Sequence, residues 1–337
     1  MSRFSYRDNK QKELMKNIED AASKQAEMSE DELFTFADYD EKESEKTGYS
    51  NYSYWRSTMR AFFKDKPAVV LLVLMLLLVA FTFIQPYLPG QYDPNMIIND
   101  ENGIQYRNVP PGGRFIWGTN SIGQDLWARI WSGTRTSLFI GIVVALVEAV
   151  VGITVGVLWG YVRKLDWIFT EIYNIIDNIP NTIVLILISY ILKPSVKTLI
   201  FAMCLTGWIQ MARFVRNQIL IIRDRDYNVA SRCLGTSTWK IMFKNLLPYL
   251  ISVIMLRMAL TIPAAIGNEV FITYIGLGLP VNVPSLGNLI NDGRAMITSP
   301  NLRYQLVYPT IVLSFVTISF YIIGNAFSDA ADPKNHV

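Results

Sequence analysis

The sequence predicts an all-α membrane protein that crosses the bilayer six times. Its composition is 51% hydrophobic and its mean hydropathy is +0.25. The apolar residues are clustered in long runs, and these runs have about the 20 residues that a helix needs to span a membrane. Polar segments separate the runs, as is typical of polytopic membrane proteins.

The rarity of cysteine and histidine excludes several kinds of chemistry. Cys204 and Cys233 are the only cysteines, and His336 is the only histidine. A disulfide framework, a zinc centre and a histidine-based catalytic triad are therefore not expected. We predict no catalytic residues, no metal ligands and no cofactor bound by this chain. The net charge of +3 is also too small to indicate nucleic-acid binding.

The N-terminal part is polar and precedes the first apolar run, so no cleavable signal peptide is expected. Residues 1–50 are predicted to form an acidic, flexible cytosolic arm, because residues 1–48 contain 13 of the 28 acidic residues. A solvated tail and a regulatory, partner-binding arm are both open interpretations. Residues 51–66 mix aromatic and basic side chains, which indicates an anchor helix at the lipid interface.

The first two spans are predicted from apolar runs separated by a long polar segment. Residues 67–86 form the first span, since the uncharged run within them is about 26 Å long as a helix. Residues 87–137 are predicted to be an extracellular segment. The second span is expected over 138–161, where Gly152, Gly156 and Gly160 recur every four residues and predict close helix packing.

A core of five helices is predicted over residues 138–327 and consists of the second span and four further spans. The third is kinked by Pro180 and the fifth near Pro263. A Gly-, Pro- and Asn-rich outer return occupies residues 276–303, and a cytosolic tail occupies 328–337. The third to sixth spans are expected at 169–192, 198–219, 247–275 and 304–327.

A charged loop, residues 221–247, lies between the fourth and fifth spans. Seven cations lie between Arg213 and Lys244, which predicts a cytosolic location. Its pattern predicts one short helix over 226–234 and a second over 238–245, with Gly235 ending the first. Either a cytosolic partner holds this loop, or it lies on lipid as an amphipathic hairpin.

The distribution of cations also predicts the orientation of the chain. Fourteen lysines and arginines lie near the membrane on the proposed cytosolic side, and eight lie on the outer side. Because these residues resist translocation, both termini are expected in the cytosol.

Several polar residues fall within predicted spans. A charge at mid-bilayer costs about 3 kcal/mol, so each charged side chain should face protein or water. Asp177 and Arg257 have similar expected depths and were candidates for a pair. A translocation path and an ion pair that locks the helices are equally open interpretations. The candidate path residues are Glu148, Asp177, Arg257, Asn268 and Glu269.

Four segments together resemble one known family. Three of them are residues 117–141 (WGTNSIGQDLWARIWSGTRTSLFIG), residues 284–294 (PSLGNLINDGR) and residues 324–334 (GNAFSDAADPK). The fourth is the charged loop, which is in register with the importer EAA signature at Ala230, Ser231, Leu234, Gly235, Leu247 and Pro248. The chain resembles the C-type permease subunits (OppC, DppC and AmiD) of bacterial ATP-binding-cassette importers for oligopeptides. Val229 departs from the signature, which has glutamate at this position.

The resemblance implies a type I importer permease in the bacterial inner membrane. The expected partners are a homologous B-type permease, two cytosolic ATPase subunits that bind ATP and Mg²⁺, a lipid-anchored or periplasmic peptide-binding protein, oligopeptide and membrane lipid. The implied ATPase-coupling residues are Asp226, Tyr227, Val229, Ala230, Ser231, Arg232, Leu234 and Gly235. The implied binding-protein docking residues are Trp117, Asp125, Trp127, Arg129, Asn288 and Arg294.

Other functions remain open at the level of sequence. Within the family, the alternatives are permeases for dipeptides, nickel or glutathione. Outside it, the alternatives are a channel or ion-driven carrier, with the intramembrane charges as a relay, and a membrane-bound sensor.

Overall fold

The computed structural model describes residues 54–331. Residues 1–53, with the predicted acidic arm and the start of the anchor segment, and residues 332–337 of the tail lie outside the described residues. The helices are α1 (Tyr54–Phe62), α2 (Lys66–Ile84), α3 (Leu126–Tyr161), α4 (Arg163–Asp177), α5 (Asn181–Ile191), α6 (Val196–Ile222), α7 (Asp226–Cys233), α8 (Thr238–Tyr274), α9 (Leu286–Arg294) and α10 (Tyr304–Ala331).

The fold of the described residues is helical, with isolated β-bridges and no β-strand between residues 54 and 331. Five helices, α2, α3, α6, α8 and α10, are long and apolar enough to cross a membrane. The bent pair α4–α5 adds a sixth span if its two halves are counted together. The predicted multi-span helical fold is therefore confirmed.

The helix that contains the second span begins twelve residues before the expected start of that span. Asp125 is its N-cap, and the Asp125 carboxylate accepts a hydrogen bond from the amide of Ala128 at 2.9 Å. The early turns are polar, but Arg129, Thr134 and Ser137 are buried among protein groups. Helix α3 therefore continues into a region that hydropathy alone assigns to a loop.

Helices α3 and α6 approach each other closely along a row of glycines. A Cβ atom added to Gly156 would lie 2.7 Å from the Val215 Cβ atom, and one added to Gly160 would lie 2.8 Å from the Ile219 Cβ atom. The expected role of this glycine spacing is confirmed. The packed pair forms part of the core that also holds the buried side chains of Ile241 and Leu246.

The third span is broken rather than kinked. Helices α4 and α5 meet at an angle of 73° across residues 178–180. Pro180 explains the break, because proline disfavours helical geometry in the preceding residue and lacks an amide hydrogen.

The second helix of the charged loop is continuous with the fifth span. Thr238–Lys240 leads into a π-helical stretch, Ile241–Leu246, and then into the α-helical part that starts at Leu247. The expectation that a new span starts near Pro248 is therefore wrong. A π-turn accommodates Pro248, which has no amide to donate to the preceding turn. Pro263 lies inside the helix without ending it.

The first two described helices pack against the last one. Phe62 of α1 and Ala68 of α2 are buried against Ala326 and Ala330 of α10. Helix α1 lies within the predicted anchor segment. Helix α9 forms within the predicted outer return and begins at the N-cap Ser285, whose hydroxyl accepts from the Asn288 amide at 3.0 Å.

Candidate translocation and coupling site

The loop between α6 and α8 folds as a short helix with a well-defined end. Helix α7 ends at Cys233, and Gly235 follows its C-cap with a φ of +78°, in the left-handed region that favours glycine. The amide of Thr236 donates to the carbonyl of Ser231, and the amide of Gly235 donates to that of Arg232, both at 3.0 Å. These two bonds form a Schellman motif, so the predicted role of Gly235 as a helix stop is confirmed.

Asn228 anchors the underside of α7. Its side chain is fully buried, although the predicted coupling residues around it are not. The Asn228 Nδ2 atom donates to the carbonyl of Ile222 at 2.9 Å, and its Oδ1 atom accepts from Asn245 Nδ2 at 3.3 Å. Asn245 also donates to the Ser231 hydroxyl at 3.3 Å. One amide thus ties α7 to both α6 and α8.

A charge cluster at Asp224 adds a connection to α3. Asp224 forms salt bridges with Arg223 and Arg232 at 3.1 Å and with Arg163 at 3.9 Å. The hydrogen bond from Arg223 lowers the pKa of Asp224, so the carboxylate stays charged at neutral pH. Arg223 also donates to the carbonyl of Gly160 at the end of α3, at 2.9 Å.

The opposite face of the loop is exposed and carries large apolar side chains. The exposed fraction is 48% for Tyr227, 40% for Val229, 86% for Leu234 and 61% for Trp239. The other predicted coupling residues are also exposed, except Ser231, which is half-buried. A rigid helix with an apolar outer face and an anchored polar underside is suited to bind a protein groove.

A cavity of about 190 Å³, lined by both polar and apolar side chains, lies between α3, α5, α6 and α8. Of the predicted path residues, Glu148, Arg257 and Asn268 line it, whereas Asp177 and Glu269 do not. Asn181 and Gln210, which the sequence did not indicate, also line it. Among the described residues, the side chains of Glu148 and Arg257 form no salt bridge within 4.0 Å.

The expected pair of Asp177 and Arg257 is not formed. Asp177 instead forms a salt bridge with Arg213 of α6 at 3.8 Å and accepts a hydrogen bond from Gln210 at 2.6 Å. The Arg213 guanidinium also lies over the Tyr173 ring, 4.4 Å from its centroid. Asp177 is the last residue of α4, and its partners lie on α6 rather than on α8, which the expected kink at Pro180 did not indicate.

Glu269 is a structural residue of the outer half rather than a cavity residue. It is fully buried and accepts hydrogen bonds from the hydroxyls of Ser285 at 2.7 Å, Ser137 at 3.0 Å and Thr273 at 3.3 Å. Ser137 in turn accepts from the amide of Leu286 at 3.1 Å. Glu269 thereby joins α3, α8 and the start of α9, and its predicted place on the path is not supported.

Three of the six predicted docking residues are inside the protein. Asp125, Arg129 and Asn288 are buried, so they are not available as an outer surface in this structure. Arg129 donates to the carbonyls of Pro94 at 3.2 Å and Val281 at 3.3 Å and thus joins the two outer segments. Arg129 and Asn288 donate to backbone carbonyls of the outer segments, whereas Asp125 caps α3. A sequence motif cannot distinguish these roles from a surface role.

The remaining docking residues are partly or fully accessible. Trp117 and Trp127 are half-buried and pack edge-to-face at 4.5 Å between ring centroids. Arg294 is exposed, and its guanidinium lies 4.1 Å from the centroid of the Tyr274 ring. A docking role for these three residues stays a prediction.

Comparison with known proteins gives the family. A family model described as "Binding-protein-dependent transport system inner membrane component" matches residues 152–337, which include α7 and α8. A second model, described as "N-terminal TM domain of oligopeptide transport permease C", matches residues 53–111. The chain belongs to the binding-protein-dependent transport permeases.

Two relatives, AmiD and DppC, agree with this assignment, and one solved structure is similar in part. The oligopeptide transport system permease protein AmiD of Streptococcus pneumoniae is 37% identical over 90% of this permease and 98% of its own length. The dipeptide transport system permease protein DppC of Bacillus subtilis is 33% identical over 90% and 93%, respectively. A chain of the MetNI methionine ABC transporter in an inward-facing conformation is 22% identical, covers 60% of this permease and 96% of that chain, and has a TM-score of 0.48.

Membership in this family defines the general role of the permease. It is a non-catalytic, multi-pass membrane subunit of an ABC importer. Such a subunit works with a second permease, ATPases and a substrate-binding protein. The family implies no cofactor for this chain.

Proposed function

We propose that this permease forms half of the path by which an ATP-driven importer takes up oligopeptides. Two observations support the substrate class. Similar proteins are named as oligopeptide and dipeptide permeases. The described residues also enclose a cavity with both charged and amide side chains, which suits a substrate made of charged ends and peptide groups.

The coupling proposal depends mainly on the arrangement of α7. Its outer face exposes Tyr227 and Leu234, while Asn228 on its underside is bonded to the end of α6 and to α8. Helices α6 and α8 also line the cavity. A displacement of α7 by a bound ATPase subunit is therefore transmitted to the helices around the cavity. ATP binding to the ATPase subunits shifts the conformation of the permease only if it changes the contact between those subunits and α7.

The full assembly that we propose has a B-type permease beside this chain and two ATPase subunits at the loop of residues 221–247, where ATP and Mg²⁺ belong to those subunits. A peptide-binding protein docks on the opposite side, where residues 87–125 and the outer return lie. This orientation places both termini in the cytosol and agrees with the excess of cations beside the loop.

A substitution at Leu234 tests the coupling surface. Leu234 is 86% exposed, so aspartate there is compatible with the fold of this chain but places a charge in an apolar contact. We expect Leu234→Asp to lose the ATPase subunits on purification and to abolish peptide uptake, whereas the matched control Leu234→Met retains both. Unchanged co-purification and uptake in Leu234→Asp would contradict the assignment.

The substrate itself is tested by the solutes that the complete importer accumulates. Oligopeptides, dipeptides, nickel and glutathione should be compared in proteoliposomes, together with the ATP hydrolysis that each stimulates. Uptake of oligopeptides in preference to the other solutes is the expected result. Preference for dipeptides is the second candidate, because DppC of Bacillus subtilis is similar over nearly the same length.

A further inference from the structure

The cavity between α3, α5, α6 and α8 contains two opposite charges that do not neutralise each other. Glu148 projects from α3 and Arg257 from α8, and both line the cavity. They are close enough to interact electrostatically, but they form no salt bridge within 4.0 Å in the described part of the chain. The Arg257 guanidinium instead lies 6.0 Å from the centroid of the Phe214 ring.

Several other charged groups of the described residues have nearby partners. Asp177 is bonded to Arg213, Asp166 to Arg216 at 2.7 Å, and Asp224 to three arginines. An ionised side chain inside a membrane protein is costly unless it has a partner or contacts water. Glu148 and Arg257 therefore differ from the structural ion pairs, and a transient charged ligand would lower this cost for both.

The surroundings of Glu148 leave its carboxylate free. Gly207 of α6 lies beside it, and any side chain at this position would collide with the carboxylate. Among the hydrogen bonds of residues 54–331, none involves the side chain of Glu148 or of Arg257. The site thus contains a carboxyl group and a guanidinium that have no hydrogen-bond partner among the described residues, beside the amide side chain of Asn268.

The positive part of the cavity has two sources. Arg257 supplies a full charge with five donors. Asn181 is the first residue of α5 and also lines the cavity, and the N-terminal amides of a helix add positive potential. Arg257 and these amides therefore favour a carboxylate, whereas Glu148 favours an ammonium group.

The size of the cavity limits what it can hold. Its volume of about 190 Å³ is below the range of about 300–1,000 Å³ that is common for small-molecule pockets. A whole oligopeptide does not fit, but one chain end with its first residue does. The cavity is therefore suited to a transient contact with a peptide end during passage rather than to tight binding of the whole substrate.

We infer that Glu148 and Arg257 contact the ends of the transported peptide one at a time, as each end passes the cavity: Glu148 binds the free amino group and Arg257 binds the free carboxylate. This inference rests on the proposed function, since it requires a peptide substrate. It assigns to this permease a preference for unblocked peptides that is separate from any selection by the binding protein.

The test is a set of crossed substitutions in the complete importer in proteoliposomes. One peptide sequence is supplied with free ends, with an acetylated N-terminus or with an amidated C-terminus, always at saturating loaded binding protein. Because the binding protein is common to all variants, its selectivity cancels when each variant is divided by wild type for the same peptide.

The expected effect is specific to the blocked end. Glu148→Gln should lower uptake of the free peptide roughly tenfold, as for the loss of one charge-assisted hydrogen bond. It should lower uptake of the acetylated peptide by less than about twofold, because that peptide has no free amino group to lose the contact. Arg257→Gln should show the same contrast between the free and amidated peptides. Glu171→Gln and Arg135→Gln make the same changes outside the cavity and should not alter any ratio.

Two further outcomes separate this inference from the proposed function. If both cavity variants lower uptake of all three peptide forms equally, the two side chains stabilise this permease or its contact with the second permease, and the inference is wrong. If wild type imports other solutes but no peptide, the proposed function itself fails. Should Gln variants not assemble, Glu148→Asp and Arg257→Lys keep the charge and must keep the preference for free ends. Loss of that preference would overturn the inference.

Discussion

Replacing Asn228 with alanine should uncouple ATP hydrolysis from transport without removing the ATPase subunits. Asn228 is fully buried, and its amide makes two hydrogen bonds, to the carbonyl of Ile222 at 2.9 Å and from Asn245 at 3.3 Å. The outer face of α7, with Tyr227 and Leu234, is not changed by this substitution. The ATPase contact therefore remains, but its connection to α6 and α8 is weakened.

The magnitude follows from these two bonds. Each contributes about 1 kcal/mol net, so the anchored position of α7 loses about 2 kcal/mol relative to unanchored ones. This corresponds to a population change of about thirtyfold. Asn245 keeps its bond to Ser231, and Ile222 keeps its bond from the Arg225 amide at 3.2 Å, so we expect no global unfolding.

The assay is the ratio of peptide imported to ATP hydrolysed by the complete importer in proteoliposomes. We expect this ratio to fall at least fivefold in Asn228→Ala, which is less than the thirtyfold change in the population of the anchored position. Asn217→Ala, an exposed asparagine on α6, is the matched control and should keep the wild-type ratio.

A second variant tests the same hydrogen bond from the side of Asn245. Asn245→Ala removes the bond to Asn228 from the other side, so the double variant should be less impaired than the product of the two single effects. A wild-type ratio in Asn228→Ala, with the ATPase subunits still bound, would refute the role of this anchor in coupling.

Two further predictions concern the backbone of α7 and the outer half of the bundle. Gly235→Ala places a side chain at φ +78° with open space around it, so backbone strain of about 1 kcal/mol should speed amide hydrogen exchange in α7 about fivefold. In the control Gly267→Ala, a Cβ atom also meets nothing within 4 Å but φ is helical, so exchange should not change. Equal exchange rates in both variants would exclude backbone strain as the cause. Glu269→Ala removes the shared acceptor of three hydroxyls and should lower stability by about 3 kcal/mol, seen as a lower Tm of the purified protein. Glu269→Gln keeps the shape and should retain uptake, so loss of uptake at normal Tm would return Glu269 to the path.

The sequence determined the class of the protein and the position of its main elements. Runs of apolar residues indicated the spans because a membrane demands both length and low polarity, and both are properties of a local segment. The glycine row on α3 and the stop at Gly235 were also local, since each depends on the lack of a side chain at one backbone position.

Tertiary structure alone decided which polar residues share a site. Asp177 and Arg257 had matching expected depths, but the 73° break near Pro180 directs Asp177 to Arg213. Helix α3 begins at Leu126 because its polar first turns find partners in distant outer segments. Hydropathy counts such residues as loop, since it records polarity without the partner that removes its cost.

The same limit separates the cavity from the buried network. Glu148 and Glu269 are both acidic residues in apolar spans, and sequence offers no reason to treat them differently. The fold surrounds Glu269 with three hydroxyls and leaves Glu148 facing an open space across from Arg257. Local sequence thus determined where charged residues lie within the spans. Only the packing of separate helices decided which of them are hydrogen-bonded and which remain free to bind a substrate, because hydrogen-bond partners come from residues far away in the chain.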